Sequence, residues 1–86
     1  MKADQFNEKY KAYLVKGFGG LEFDIPEVTD MLDKEFTELV KKPGFKYMQI
    51  KLKFGMARFY FEYDDFYEDE EYRIEKEIDR LITLVP

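Results

Sequence analysis

The stretch that decides the fold is KYMQIKLKFGMARFYFEYD, residues 46–64, in which apolar and polar residues alternate on both sides of a glycine. Two alternating runs around a short polar or glycine-containing break are typical of two half-buried strands joined by a tight turn. The pair Gly55-Met56 begins with glycine, which suits a two-residue type II′ turn. We therefore predict a β-hairpin whose turn is formed by these two residues.

This register divides the hairpin into an apolar face and a polar face. The apolar face comprises Met48, Ile50, Leu52, Phe54, Ala57, Phe59, Phe61 and Tyr63. We expect it, with its aromatic residues, to lie in the core, because an uncovered patch of this size would be unusual for a small protein. A register shifted by one residue would mix the two faces, so the alternation itself supports this pairing.

The polar face of the hairpin carries the first candidate site. Its members are Lys51, Lys53, Arg58 and Tyr60. The predicted register places Lys53 directly opposite Arg58, and like charges opposed across a strand pair are destabilising by some tenths of a kcal/mol. Two interpretations stay open: a solvated face balanced by neighbouring carboxylates, or a docking face for an acidic partner or a phosphate.

Three other segments have the apolar spacing of amphipathic helices. The first spans residues 3–16 and ends at Gly17, and the second follows a helix-start pattern in which Asp24 caps a first turn containing Pro26. The apolar residues of the last helix are Ile74, Ile78, Leu81, Ile82 and Val85.

Alternating residues at 21–25 also predict a short third strand beside the hairpin. The sequence therefore predicts an α+β fold in the order helix, helix, β-hairpin, helix. We expect the helices to pack on one face of a small antiparallel sheet.

Composition restricts the chemistry of the chain. Its 86 residues suit a single domain, residues 1–86, and the sequence contains no Cys, His or Ser. Serine or cysteine nucleophiles paired with a histidine base are therefore excluded, as are histidine and cysteine metal ligands. We expect no catalytic residues, no cofactor and no bound metal. The absence of a long apolar segment or signal-like start predicts a cytoplasmic protein outside the membrane.

The second candidate site is a run of acids that precedes and enters the last helix. Its members are Asp64, Asp65, Glu68, Asp69, Glu70 and Glu71. The helix dipole favours negative charge at a helix start, and a mimic of nucleic-acid phosphates is the alternative interpretation. The run lacks the ligand spacing and turn glycine of an EF-hand, and a solvated run does not supply the cleft that a catalytic carboxylate pair needs.

One segment, QIKLKFGMARFYFEYDD at residues 49–65, resembles the QIKEKFG-x-LRFY segment of small bacterial and phage proteins that have no assigned function. The matching positions are Gln49, Ile50, Lys51, Lys53, Phe54, Gly55, Arg58, Phe59 and Tyr60. Leu52 stands where that pattern has an acid, and Ala57 where it has a leucine. The Cys-x-x-Cys pair that often follows in that group has no counterpart here. The resemblance implies a hairpin and a bacterial or phage origin, and it implies no activity.

These observations predict a small non-catalytic interaction or accessory protein that binds a protein partner through charged surfaces. The alternative is an acidic inhibitor that mimics nucleic acid and occupies a nucleic-acid-binding protein. Direct binding of nucleic acid is disfavoured by the net charge of −5. Opposite charges on two surfaces also allow a homo-oligomer.

Overall fold

The computed structural model describes residues 1–61 and 68–84. Its elements are α1 (Ala3–Lys9), a 3₁₀ turn (Lys11–Tyr13), β1 (Gly20–Leu21), α2 (Pro26–Leu39), β2 (Tyr47–Lys53), β3 (Met56–Phe61) and α3 (Glu68–Leu84). The predicted α+β class is confirmed, and so is the order of two helices, a hairpin and a last helix.

The sheet is mixed, whereas the sequence predicted an antiparallel one. Its strand order is β1-β2-β3, with β1 parallel to β2 and β2 antiparallel to β3. The third strand also covers Gly20–Leu21 instead of residues 21–25. The parallel pairing follows from the connection, because α2 lies between β1 and β2 and returns the chain to the end of the sheet at which β1 began.

The hairpin turn is formed by Phe54 and Gly55, so the predicted Gly55-Met56 turn is wrong. Phe54 has φ 55° and Gly55 has φ 77°. Two successive positive φ angles define a type I′ turn, in which glycine suits the second position. Lys51 consequently lies opposite Arg58, and Lys53 lies opposite Met56. From Gln49 to Lys53 each partner moves by two positions, which keeps these residues on their predicted faces. The register is irregular between Tyr47 and Gln49, and Tyr47, which the alternation left off the apolar face, is fully buried.

The core joins the inner face of the sheet to all three helices. Fully buried side chains include Phe6 of α1, Val28, Leu32 and Phe36 of α2, Tyr47, Ile50 and Phe59 of the sheet, and Ile74 and Ile78 of α3. Phe54 was predicted to belong to this core but is 93% exposed, because it occupies the turn. The side chains of Phe61 and Tyr63 lie outside the described part of the chain.

Two helix ends differ from the prediction: the C-terminal end of α1 and the N-terminal cap of α2. α1 ends at Lys9, well before Gly17, because the chain then runs along β2, where the N–H of Val15 donates to the carbonyl of Tyr47 at 2.9 Å. The N-cap of α2 is Ile25, without a side-chain cap. The Asp24 carboxylate instead accepts a hydrogen bond from the N–H of Ala3, at the start of α1.

Candidate binding surface

The structure brings the predicted basic residues together on the face of the sheet opposite the core. The outer sheet face, as we name it, comprises Lys51, Lys53, Met56, Arg58 and Tyr60. Its centre is the cross-strand pair Lys51 and Arg58, and Tyr60 lies two residues further along β3, opposite Gln49. The three helices contribute their buried residues to the other side of the sheet. This face therefore has no described helix packed into its centre.

The cations of the outer sheet face contact rings and backbone. The Lys51 ammonium lies 5.7 Å from the centre of the Tyr60 ring, and Arg58 donates to the carbonyl of Ala57 at 3.0 Å. Across the described residues, Lys51, Lys53 and Arg58 have no carboxylate within ion-pair distance. The interpretation of this face as balanced by neighbouring carboxylates is therefore not supported by the described residues.

The hairpin tip adds two apolar side chains to this surface. The sequence predicted Phe54 on the apolar core face and Met56 in the turn. Phe54 is 93% exposed and Met56 is 47% exposed. The ammonium of Lys53 lies 5.9 Å from the centre of the Phe54 ring. The sequence did contain a signal for this tip, because Gly55 at the second turn position fits a type I′ turn and places Phe54 first.

Strand β3 forms one edge of the sheet, and α3 closes that edge. The N–H of Ala57 donates to the Asp79 carboxylate at 2.8 Å, and the N–H of Phe59 donates to the Glu75 carboxylate at 3.0 Å. An open strand edge is a template for pairing with another chain. Glu75 and Asp79, which the helical spacing places among the outer polar residues, thus occupy the donors that such pairing would use.

Strand β1 forms the opposite edge, where the side-chain amide of Asn7 takes the place of a neighbouring strand. Its Oδ1 accepts from the N–H of Leu21 at 2.9 Å, and its Nδ2 donates to the carbonyl of Leu21 at 3.0 Å. One side chain therefore satisfies both backbone groups of Leu21. Helix side chains thus bind backbone groups at both sheet edges, those of Leu21 in β1 and the N–H groups of Ala57 and Phe59 in β3.

Removing the carboxylates at the β3 edge is expected to destabilise the protein and promote association. In the variant Glu75→Ala with Asp79→Ala, two backbone N–H groups lose their partners, at a cost of about 1–3 kcal/mol each. Urea unfolding followed by circular dichroism measures the stability, and light scattering against concentration measures the association. The control, Lys76→Ala with Arg80→Ala, has the same helical spacing and should behave like the native chain. Equal behaviour of the two variants would show that the edge contacts are dispensable.

The acidic residues that the structure describes do not act as one cluster. Glu70 pairs with Lys42 of the α2 end at 3.0 Å, while Asp69 and Glu71 line an open groove of about 460 Å³ together with Tyr72 and Glu75. Asp64 and Asp65 lie outside the described residues, as does the side chain of Glu68. Within the described ranges no three carboxylates are placed to hold a metal ion.

A second ion pair joins the same two helices and explains a polar residue on the apolar stripe of α2. Arg73 donates two hydrogen bonds to Glu35, at 3.0 and 2.8 Å. These hydrogen bonds, with the charge of Arg73, lower the pKa of the Glu35 carboxyl against the opposing effect of burial. Glu35 and Glu70 therefore serve the packing of α3 against α2.

The fold and this surface define a small α+β protein with a positively charged sheet face that no described helix covers. In comparisons with known proteins, no family model, no curated protein and no solved structure matches the chain. The resemblance to the QIKEKFG-x-LRFY segment thus stays an expectation from the sequence. Among the described helices, none combines the length and the apolar character needed to cross a bilayer.

Proposed function

We propose that the chain is a non-catalytic interaction module that binds an acidic surface of a partner protein through its outer sheet face. The observation that carries this proposal is the group of three cations, Lys51, Lys53 and Arg58, without a carboxylate partner among the described residues. Arg73 and Lys42, by contrast, each have a carboxylate partner.

The arrangement of the cations adds a physical reason for an acidic partner. Lys51 and Arg58 are directly opposed across the hairpin, so each raises the electrostatic free energy of the other. A carboxylate placed between them would remove that repulsion and accept hydrogen bonds from both. Complementary charge of this kind contributes chiefly to specificity and to the rate of association.

The closed edges of the sheet favour docking on the face. Many peptide-binding proteins add a strand from the partner to an open sheet edge, using main-chain hydrogen bonds. Here Asn7 occupies the backbone groups of Leu21, and Glu75 and Asp79 occupy two N–H groups of β3. In the described part of the chain, the outer sheet face is therefore a more accessible docking surface than these occupied edge groups.

Reversing the charge of the cross-strand pair is expected to abolish partner binding without unfolding the protein. The variant is Lys51→Glu with Arg58→Glu. Its control is Lys34→Glu with Lys41→Glu, which makes the same change of charge on α2 and just after its end. Tagged chains are cross-linked in cells that naturally produce the protein, and the proteins recovered with native chain, variant and control are compared by mass spectrometry.

The proposal requires a protein that the native chain and the control recover and the variant does not. Recovery by all three chains would remove the outer sheet face from consideration. If DNA or RNA displaces the recovered protein, the result instead supports the nucleic-acid mimic, with the acidic groove of Asp69, Glu71 and Glu75 as its surface.

A further inference from the structure

We infer that Phe54, at the hairpin tip, is an anchor that enters an apolar pocket rimmed by carboxylates on the acidic partner protein. This inference rests on the proposed function and deepens it, because it specifies the chemistry of the surface that the module recognises. Three observations on the structure support it: the backbone conformation of Phe54, its exposure, and the charges around it.

The backbone at Phe54 is unfavourable for phenylalanine. Its φ of 55° lies in the left-handed region, and Phe54 is the only non-glycine residue with a positive φ in the described ranges. Type I′ turns favour Asn, Asp or Gly at this position, because a bulky side chain clashes with its own backbone there. Local strain of this kind commonly persists where the residue serves a function.

Burial does not offset this strain in the free protein. The side chain of Phe54 is 93% exposed, whereas that of Phe59, in β3 of the same hairpin, is fully buried. The free chain therefore holds a strained phenylalanine in water, and a partner pocket would supply the missing burial. Rigid aromatic side chains that enter a dry pocket contribute most of the binding free energy in many interfaces.

The surroundings of the ring specify the rim of that pocket. Lys53 lies beside the ring, and Lys51 and Arg58 form the third cross-strand pair from the turn. Cations around an apolar anchor match carboxylates around an apolar pocket. The chain's net charge of −5 opposes long-range approach of a nucleic acid, so a protein with a locally acidic surface is the occupant that we favour.

The test begins with Phe54→Asn, which should make the free protein more stable and the bound state weaker. Asparagine accepts the turn conformation, so the urea midpoint should rise above that of the native chain. Carboxymethyl-β-cyclodextrin, an apolar cavity rimmed by carboxylates, serves as the probe, with β-cyclodextrin as its neutral match. Calorimetry should show tighter binding of the charged probe by the native chain, and loss of binding to both probes in the variant.

Two further chains complete the design. Phe18→Asn changes another exposed phenylalanine, 46% exposed, and should keep the binding of the charged probe. Lys51→Glu with Arg58→Glu should lose the preference for the charged probe, because that preference comes from charge. A urea midpoint that falls in Phe54→Asn would contradict the strain argument and overturn the inference.

Capture from cells separates this inference from the proposed function. The inference requires that Phe54→Asn fail to recover the protein that is lost from the charge-reversal variant. If Phe54→Asn recovers that protein as well as the native chain does, Phe54 is no anchor, although the outer sheet face still binds. Cross-links from residue 54 to a second copy of the chain, or to nucleic acid, would equally overturn it.

Discussion

Replacing Phe36 by alanine is expected to lower the free energy of unfolding by about 3–5 kcal/mol, the usual cost of deleting a buried aromatic ring. Phe36 is fully buried on α2 and lies between the first helix and the sheet. Its ring contacts those of Phe6, Tyr10, Phe45, Tyr47 and Phe59, with centroid distances of 4.8–6.0 Å. The surrounding aromatic rings are rigid, so they cannot collapse into the space that the substitution leaves.

A loss of this size is a large part of the total stability of a small domain, which is about 5–15 kcal/mol. Urea unfolding followed by circular dichroism gives the change directly. The matched control is Phe54→Ala, since the same side chain is removed from a site that is 93% exposed. We expect that control to keep the native free energy of unfolding within about 0.5 kcal/mol. A similar loss of unfolding free energy in both variants would show that Phe36 is not at the centre of the core.

Replacing Gly20 by alanine is expected to cost about 2–4 kcal/mol, the sum of an unfavourable backbone angle and displaced hydrogen bonds. Gly20 has φ +69°, and a Cβ at this position would lie 2.5 Å from Oδ1 of Asn7 and 3.3 Å from the Tyr47 ring. The Asn7 amide would have to move away. It would then lose its two hydrogen bonds to the backbone of Leu21, at the edge of the sheet.

Gly17→Ala is the control that separates these two costs. Gly17 also has a positive φ, +93°, but a Cβ there meets nothing within 4 Å. We expect only the backbone cost, about 1–2 kcal/mol, from this variant. The difference between the two urea midpoints measures the contribution of the Asn7 contacts. If the two alanine variants unfold at the same urea concentration, those contacts add nothing to stability.

The helices and the two faces of the hairpin could be predicted from the sequence because they depend on local periodicity. Phe36, Ile50, Phe59 and Ile74 lie in the core as their spacing predicts. From Gln49 to Lys53 the faces are as predicted despite the incorrect turn, since moving each cross-strand partner by two positions leaves the alternation unchanged. The exposed position of Phe54 could not be predicted in the same way. Glycine fits the first position of a type II′ turn and the second position of a type I′ turn, and only the second choice places Phe54 in the turn.

The features of the sheet edges depend on tertiary contacts that no local pattern encodes. Asn7 lies 14 positions from Leu21 in the chain, and Asp79 lies 22 positions from Ala57. Each looks like an ordinary polar residue of a helix in the sequence. The parallel pairing of β1 was missed for a related reason, because two residues provide too little alternation to indicate a direction. The candidate basic surface could be predicted from the sequence, since its residues alternate along the hairpin.

The closure of the β3 edge by α3 also has a consequence for the order of folding. The hairpin joins neighbours in the chain, whereas Glu75 and Asp79 lie 16 and 22 positions from the N–H groups that they bind. A hairpin forms in about 1–10 μs, so β3 can pair with β2 before α3 docks. Until α3 docks, the N–H groups of Ala57 and Phe59 have no acceptor on that helix. Refolding at high protein concentration would therefore favour pairing between chains at this edge.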